Sequence, residues 1–229
     1  MKTSHKQTDE ELRSERVESA RRSVFHTLLY TVFQRPRESD SIGIVVAISS
    51  VNPGEGVTHV TKELVHELAR FDCNSVAGIN TQFLRSLRET SVETFRESLS
   101  GATPLPRNSM AGKKVWEGVE PSNASSMRVT TGRRGPWEGS WQYRRDCIDV
   151  LRRQFDQTVI DCPSLKESGD ALSIAPFVDG VILVIEANRT RGEQIRNAEQ
   201  SITAADGKLL GYVLNKRKYE VPGWIYRRL

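Results

Sequence analysis

One stretch, Ser50-Val-Asn-Pro-Gly-Glu-Gly-Val-Thr58, constrains the fold of this chain more than any other. It follows the apolar run 42–48, which reads as a buried strand. It precedes residues 57–70, where Val60, Leu64 and Leu68 recur every fourth position like one face of a helix. In a strand–glycine loop–helix unit, backbone N–H groups curl round phosphate oxygens and the helix N-terminus adds partial positive charge. Pro53, Gly54, Glu55, Gly56, Val57 and Thr58 are therefore the candidate nucleotide-binding residues. A lysine normally follows the last glycine of such a loop to reach the β- and γ-phosphates, and the next Ser or Thr holds magnesium. Here Thr58 is present, but Val57 stands where the lysine would be. A tight turn between strand and helix is the competing account of Gly54 and Gly56.

The rest of the chain alternates in the same way. Residues 75–79, 158–160, 181–185 and 209–214 are short apolar runs that read as strands, and 141–155 and 191–204 read as helices. Strands that are apolar on both faces and alternate with helices imply an α/β fold: a mostly parallel sheet covered on both sides. Ligands of such sheets bind outside the carboxyl ends of the strands. Three candidate segments fall there: residues 50–58, Asn80-Thr-Gln82 and Asp161-Cys-Pro163.

Two regions depart from the alternation. Residues 1–40 read as an amphipathic helix over about 9–33, with Leu28, Leu29, Val32 and Phe33 on its buried face, and a polar connector. Residues 41–229 form the main domain. Within it, 100–140 is an irregular excursion rich in Gly, Pro, Ser and Arg, where only 127–131 resembles a strand.

Composition narrows the function classes. The 33 Lys and Arg against 29 Asp and Glu leave a net charge of +4, and no aromatic–basic module accompanies it, so nucleic acid is not the expected partner. Cys73, Cys147 and Cys162 lack metal-ligand spacing and read as reduced core thiols. No apolar run approaches the ~20 residues of a bilayer span. The expectation is a cytoplasmic chain that reaches a membrane only through a partner.

Taken together, Ser50-Val-Asn-Pro-Gly-Glu-Gly, Val159-Ile-Asp-Cys-Pro163, Gly169-Asp-Ala171, Val178-Asp-Gly-Val-Ile-Leu-Val184, Thr190-Arg191 and Gly211-Tyr-Val-Leu-Asn-Lys216 resemble the bacterial tyrosine kinases of capsule and exopolysaccharide assembly. The resemblance covers roughly residues 18–229 and is weakest across 83–140. It implies a P-loop NTPase fold of the three-layer MinD/ParA type. It also implies ATP and Mg²⁺ as cofactors, and autophosphorylation of tail tyrosines, for which Tyr219 and Tyr226 are the candidate acceptors. The implied partners are a membrane adaptor or chain-length regulator of polysaccharide export. A Glu-x-x-Arg helix packs against a neighbouring subunit in that family, and Glu18-Ser-Ala-Arg21 is the matching segment, so a homo-oligomer is a further expectation. Asn215 resembles the residue that reads adenine. Each of these has a plainer account: a tail packed on the domain, a solvated helix face, and an Asn in a strand-end turn.

The chain departs from that pattern in a coordinated way. Asp161 matches the family's magnesium carboxylate and Thr58 its magnesium hydroxyl. Val57 replaces the lysine, and an Asp-x-Asp segment is replaced at Asn80 and Gln82. Amides bring no negative charge and take no proton from a tyrosine hydroxyl. A lysine–phosphate contact at ~4 Å is worth about 4 kcal/mol at an effective dielectric near 20. Half of that is a ~30-fold change in affinity. Since phosphoryl transfer rests on positioning and electrostatics, the sequence favours a catalytically impaired regulator or scaffold. An active autokinase or slow ATPase would need a replacement cation, with Lys62, Lys113 or Arg85 as candidates. A partitioning-type ATPase switch ranks last, because its loop begins with an additional lysine that 49–52 lacks.

Overall fold

The computed structural model describes residues 27–33, 43–70, 75–81, 84, 114–117 and 141–217. The chain divides into two compact units, Met1–Asp40 and Ser41–Leu229. In the first, the described residues form a π-helical segment, Leu29–Phe33. Leu29 and Phe33 are buried there, Leu28 and Val32 half-buried, and Tyr30 exposed.

The second unit is built on six parallel strands: β1 (Ile44–Ser50), β2 (Ser75–Asn80), β3 (Lys114–Glu117), β4 (Gln157–Asp161), β5 (Gly180–Glu186) and β6 (Leu209–Asn215). Their order is β3-β2-β4-β1-β5-β6. Among the described residues, four helices lie between or beside them: α1 (Val57–Arg70), α2 (Trp141–Gln154), α3 (Asp170–Ile174) and α4 (Gly192–Ala204). β1 is central, pairing with β4 on one side and β5 on the other. All seven of its residues are buried, which is why its sequence runs apolar without alternation.

Alternate residues of β1 serve opposite faces. Val45 and Ala47 join one core cluster with Ile148 and Leu151 of α2, Ile174 of α3 and Ile202 of α4. Val46 and Ile48 point the other way, to the side that carries α1, whose Val60, Leu64 and Leu68 are buried. At the amino end of the sheet, Asp179 accepts from the Val45 amide at 2.7 Å and from Arg152 at 2.6 Å. Arg152 also donates to the carbonyls of Gly43 at 3.2 Å and Phe177 at 2.9 Å, fixing where β1 starts.

Three local findings differ from the sequence reading. The first strand is shifted two residues along, to Ile44–Ser50. The irregular excursion contains a strand at Lys114–Glu117, while 127–131, the strand expected there, lies outside the described residues. The short helix α3 begins within Gly169-Asp-Ala171, a stretch read only as a motif. Most of the 9–33 helix, residues 83–99 apart from Leu84, and the tail beyond 217 also lie outside the described residues.

Candidate nucleotide site

β1 delivers the glycine loop to the carboxyl edge of the sheet, and α1 begins immediately beyond it at Val57. Gly54 and Gly56 have φ of 78° and 97°, values that side chains disfavour, so the loop's course depends on both. At Gly56 there is a second reason: a Cβ would lie 2.3 Å from Asn215 Nδ2.

The loop is braced from inside by Glu55, only 2% exposed. One carboxylate oxygen accepts from the amides of Val51 at 2.9 Å and Asn52 at 3.0 Å. The other accepts from the Asn52 side chain at 3.1 Å and from the Thr190 hydroxyl by a short bond. From outside, Asn215 donates to the Glu55 carbonyl at 2.9 Å and Lys216 to the Gly54 carbonyl at 2.5 Å. Lys216 also pairs with Glu186 at 3.5 Å. The ends of β5 and β6 therefore grip the loop, and its shape does not depend on a lysine at position 57.

An open cleft of about 470 Å³ adjoins this loop. Pro53, Gly54, Gly56, Val57 and Thr58 line it, as do Asn80 and Thr81 from the end of β2 and Asp161 after β4. The strand register explains the convergence, since Asn80 lies beside Asp161 and Ile48 beside Asp161 on the other side. The cleft thus brings together most of the expected site residues. Glu55 turns its carboxylate into the loop instead, and Asn215 holds the loop from behind. Gln82, Arg85, Lys113, Tyr219 and Tyr226 lie outside the described residues.

Thr58 and Asp161 line the same cleft. Burial pushes the Asp161 carboxyl up from its ordinary value, against the opposing effects of the Thr58 hydroxyl and the Lys62 charge. Lys62 lies one turn along α1 from Thr58 and is exposed. A hydroxyl and a carboxylate side by side are oxygen donors suited to magnesium, which completes its shell with water and phosphate oxygens. Among the described residues no group of three or more His, Cys, Asp or Glu side chains forms a metal site. Any magnesium here would depend on the phosphates it accompanies.

Val57, 9% exposed, presents an isopropyl group where a cation would reach the phosphates. Among the described residues lining the cleft none is Lys or Arg. Several contributors went unread in the sequence: Thr190 as a brace of Glu55, Glu186, Gln194 and Lys216 around the loop, and Ser164 with Glu167 on the far wall of the cleft. Thr190 and Lys216 stood within quoted motifs; Glu186, Gln194, Ser164 and Glu167 had no local signal.

No protein-family model matches the chain. It is 27% identical over 177 residues to the tyrosine-protein kinase CpsD of Streptococcus agalactiae, covering 75% of each chain. It is 38% identical over 136 residues to the putative tyrosine-protein kinase CapB of Staphylococcus aureus, covering 59% of this chain and 47% of that one. The succinoglycan biosynthesis transport protein ExoP of Rhizobium meliloti matches at 25% over 185 residues, 75% of this chain and 22% of that one. Among solved structures, the VpsO kinase domain aligns with a TM-score of 0.56 at 23% identity, over 92% of this chain and 98% of that one. The MinD cell division protein of Aquifex aeolicus aligns with a TM-score of 0.50 at 15% identity, over 81% and 73%. The fold is that of the VpsO kinase domain and of MinD, and the relatives include proteins named tyrosine-protein kinases.

Proposed function

We propose that this homologue of bacterial tyrosine-protein kinases is a catalytically impaired, kinase-like regulator or scaffold of exopolysaccharide or capsule assembly. The observation that carries this reading is Val57. A braced phosphate loop meets an apolar side chain at the point where a cation would neutralise the transferring phosphoryl group. Asn80 adds to it, since an amide beside Asp161 takes no proton from an incoming hydroxyl.

A nucleotide would seat its phosphates on the N-terminus of α1, with Thr58 and Asp161 holding magnesium. That ion would supply charge neutralisation for the phosphates. The partner in this reading is a membrane adaptor or chain-length regulator of polysaccharide export, which would bring a cytoplasmic chain to the membrane. Among the described residues no helix is long and apolar enough to cross a membrane.

A second reading has one observation in its favour. The Lys62 charge is felt at Asp161, so an active autokinase using Lys62 in place of the lost lysine is the alternative. Incubating the purified chain with Mg-ATP and measuring phosphotyrosine separates the two. The proposal expects none above background. Phosphotyrosine that accumulates with time and vanishes in Asp161→Ala and Lys62→Ala would establish the active kinase instead.

A further inference from the structure

Of the four large apolar side chains that stand exposed among the described residues, two lie on one face of β6: Tyr212, 43% exposed, and Leu214, 54% exposed. The pairing with β5 puts them there. Val181 pairs with Leu209, but Ile182 pairs with Gly211, so Leu210 is an extra residue in β6. One extra residue inverts which side chains face which way. Beyond it, Tyr212 stands beside Leu183 and Leu214 beside Ile185. Leu183 belongs to the core cluster and Ile185 packs against it. On that face α4 covers the sheet with Ile195, Ala198 and Ile202. Its cover ends at Glu199, which accepts a hydrogen bond from the Tyr212 hydroxyl at 3.2 Å. Tyr212 and Leu214 are left as an apolar shelf between α4 and the edge of the sheet.

β6 is also the last strand in the order, so among the described residues no strand lies beyond it. An open apolar edge invites association with other chains, and folded proteins cover such edges with a helix or a segment of chain. The segment at hand is Lys218-Tyr-Glu-Val-Pro-Gly-Trp-Ile-Tyr-Arg-Arg-Leu229. Lys216 has a φ of 55°, a turn conformation, and its side chain is held by the Gly54 carbonyl and Glu186. The tail therefore departs from a fixed point close to Leu214. At ~3.3 Å per extended residue it reaches up to ~40 Å, against ~23 Å for β6 itself. Val221, Trp224, Ile225 and Leu229 supply apolar side chains, and Arg227 and Arg228 carry the charge opposite to that of Glu199. A segment tethered so closely has an effective concentration on the order of millimolar, which favours it over a second copy of the chain.

We propose that residues 218–229 dock on the shelf of Tyr212 and Leu214 beside α4, with Trp224 and Ile225 as the side chains that fill it. The docked tail caps the open edge of the sheet, and whatever captures the tail uncovers that edge in the same step. Neither Tyr212 nor Leu214 lines the cleft, so the docking does not depend on what the cleft binds.

The test is photocross-linking in the full chain, with p-benzoylphenylalanine in place of Leu214 and the products mapped by mass spectrometry. The expected product has the mass of one chain and joins position 214 to residues 221–229. Trp224→Ser together with Ile225→Ser should abolish that link, in a chain whose thermal melt shows it folded. The same photoreactive residue in place of Tyr212 should give the same product, so a misfolded variant at one position leaves the other to decide. A folded chain that links the shelf to a second copy, to residues 1–40, or to nothing overturns the proposal. So does a tail link that survives the loss of Trp224 and Ile225.

Discussion

The Asn215 side chain donates to the Glu55 backbone carbonyl at 2.9 Å, joining the end of β6 to the glycine loop across 160 positions of sequence. The same amide nitrogen occupies the space that a Cβ on Gly56 would need. Gly56→Ala therefore fails twice, by collision and by its φ of 97°. Urea unfolding should show a loss of about 1–3 kcal/mol. Asn215→Ala removes one hydrogen bond and should cost about 1 kcal/mol by the same measurement.

Thr190 tests the brace on the buried Glu55 carboxylate. Thr190→Val keeps the shape and deletes the donor to Glu55, along with the acceptor for the Glu186 amide at 3.0 Å. The expected loss is about 1–3 kcal/mol in urea. Nucleotide-probe affinity should fall with it, because the loop loses an internal tie.

Asp161 carries a pH signature. Its folded carboxyl titrates above its ordinary value because of burial, so the folded state holds the proton more tightly than the unfolded one. Stability from this group is present at pH below the unfolded value and is lost as pH rises through the folded one. Asp161→Asn should accordingly raise the melting temperature at neutral pH, by roughly 2–4 °C. The gain should disappear in acid below the ordinary carboxylate range. A constant gain at every pH would contradict the assignment.

Cys147 and Cys162 are buried free thiols, and burial pushes Cys147 up to about 11 and Cys162 well above its ordinary value. Neither should react with an alkylating reagent at neutral pH until the chain unfolds. Mass-spectrometric mapping of labelled sites checks this.

Much of the sheet was legible because its strands are apolar on both faces and its helices carry a regular period. The helix at Val57–Arg70 follows directly from Val60, Leu64 and Leu68. β3 was not legible: Lys-Val-Trp-Glu has two apolar residues between charges, and it is a strand through its register with Ser75–Gly78. α3, five residues long, is too short to show a period. The loop's supports were hidden for a different reason. Thr190, Asn215 and Lys216 reach it across 135, 160 and 162 positions, and such hydrogen bonds leave no local pattern. Thr58 and Asp161 were readable by position, but their convergence on one cleft required the fold.

The central claim is that the loop has kept its phosphate-binding shape and lost its charge. Val57→Lys tests it most directly, with ATP affinity measured against the wild-type chain in magnesium. Restoring the cation should tighten binding by about 30-fold, half the ~4 kcal/mol of such a contact at an effective dielectric near 20. No gain, in a variant whose melting curve shows it folded, would contradict the retained shape.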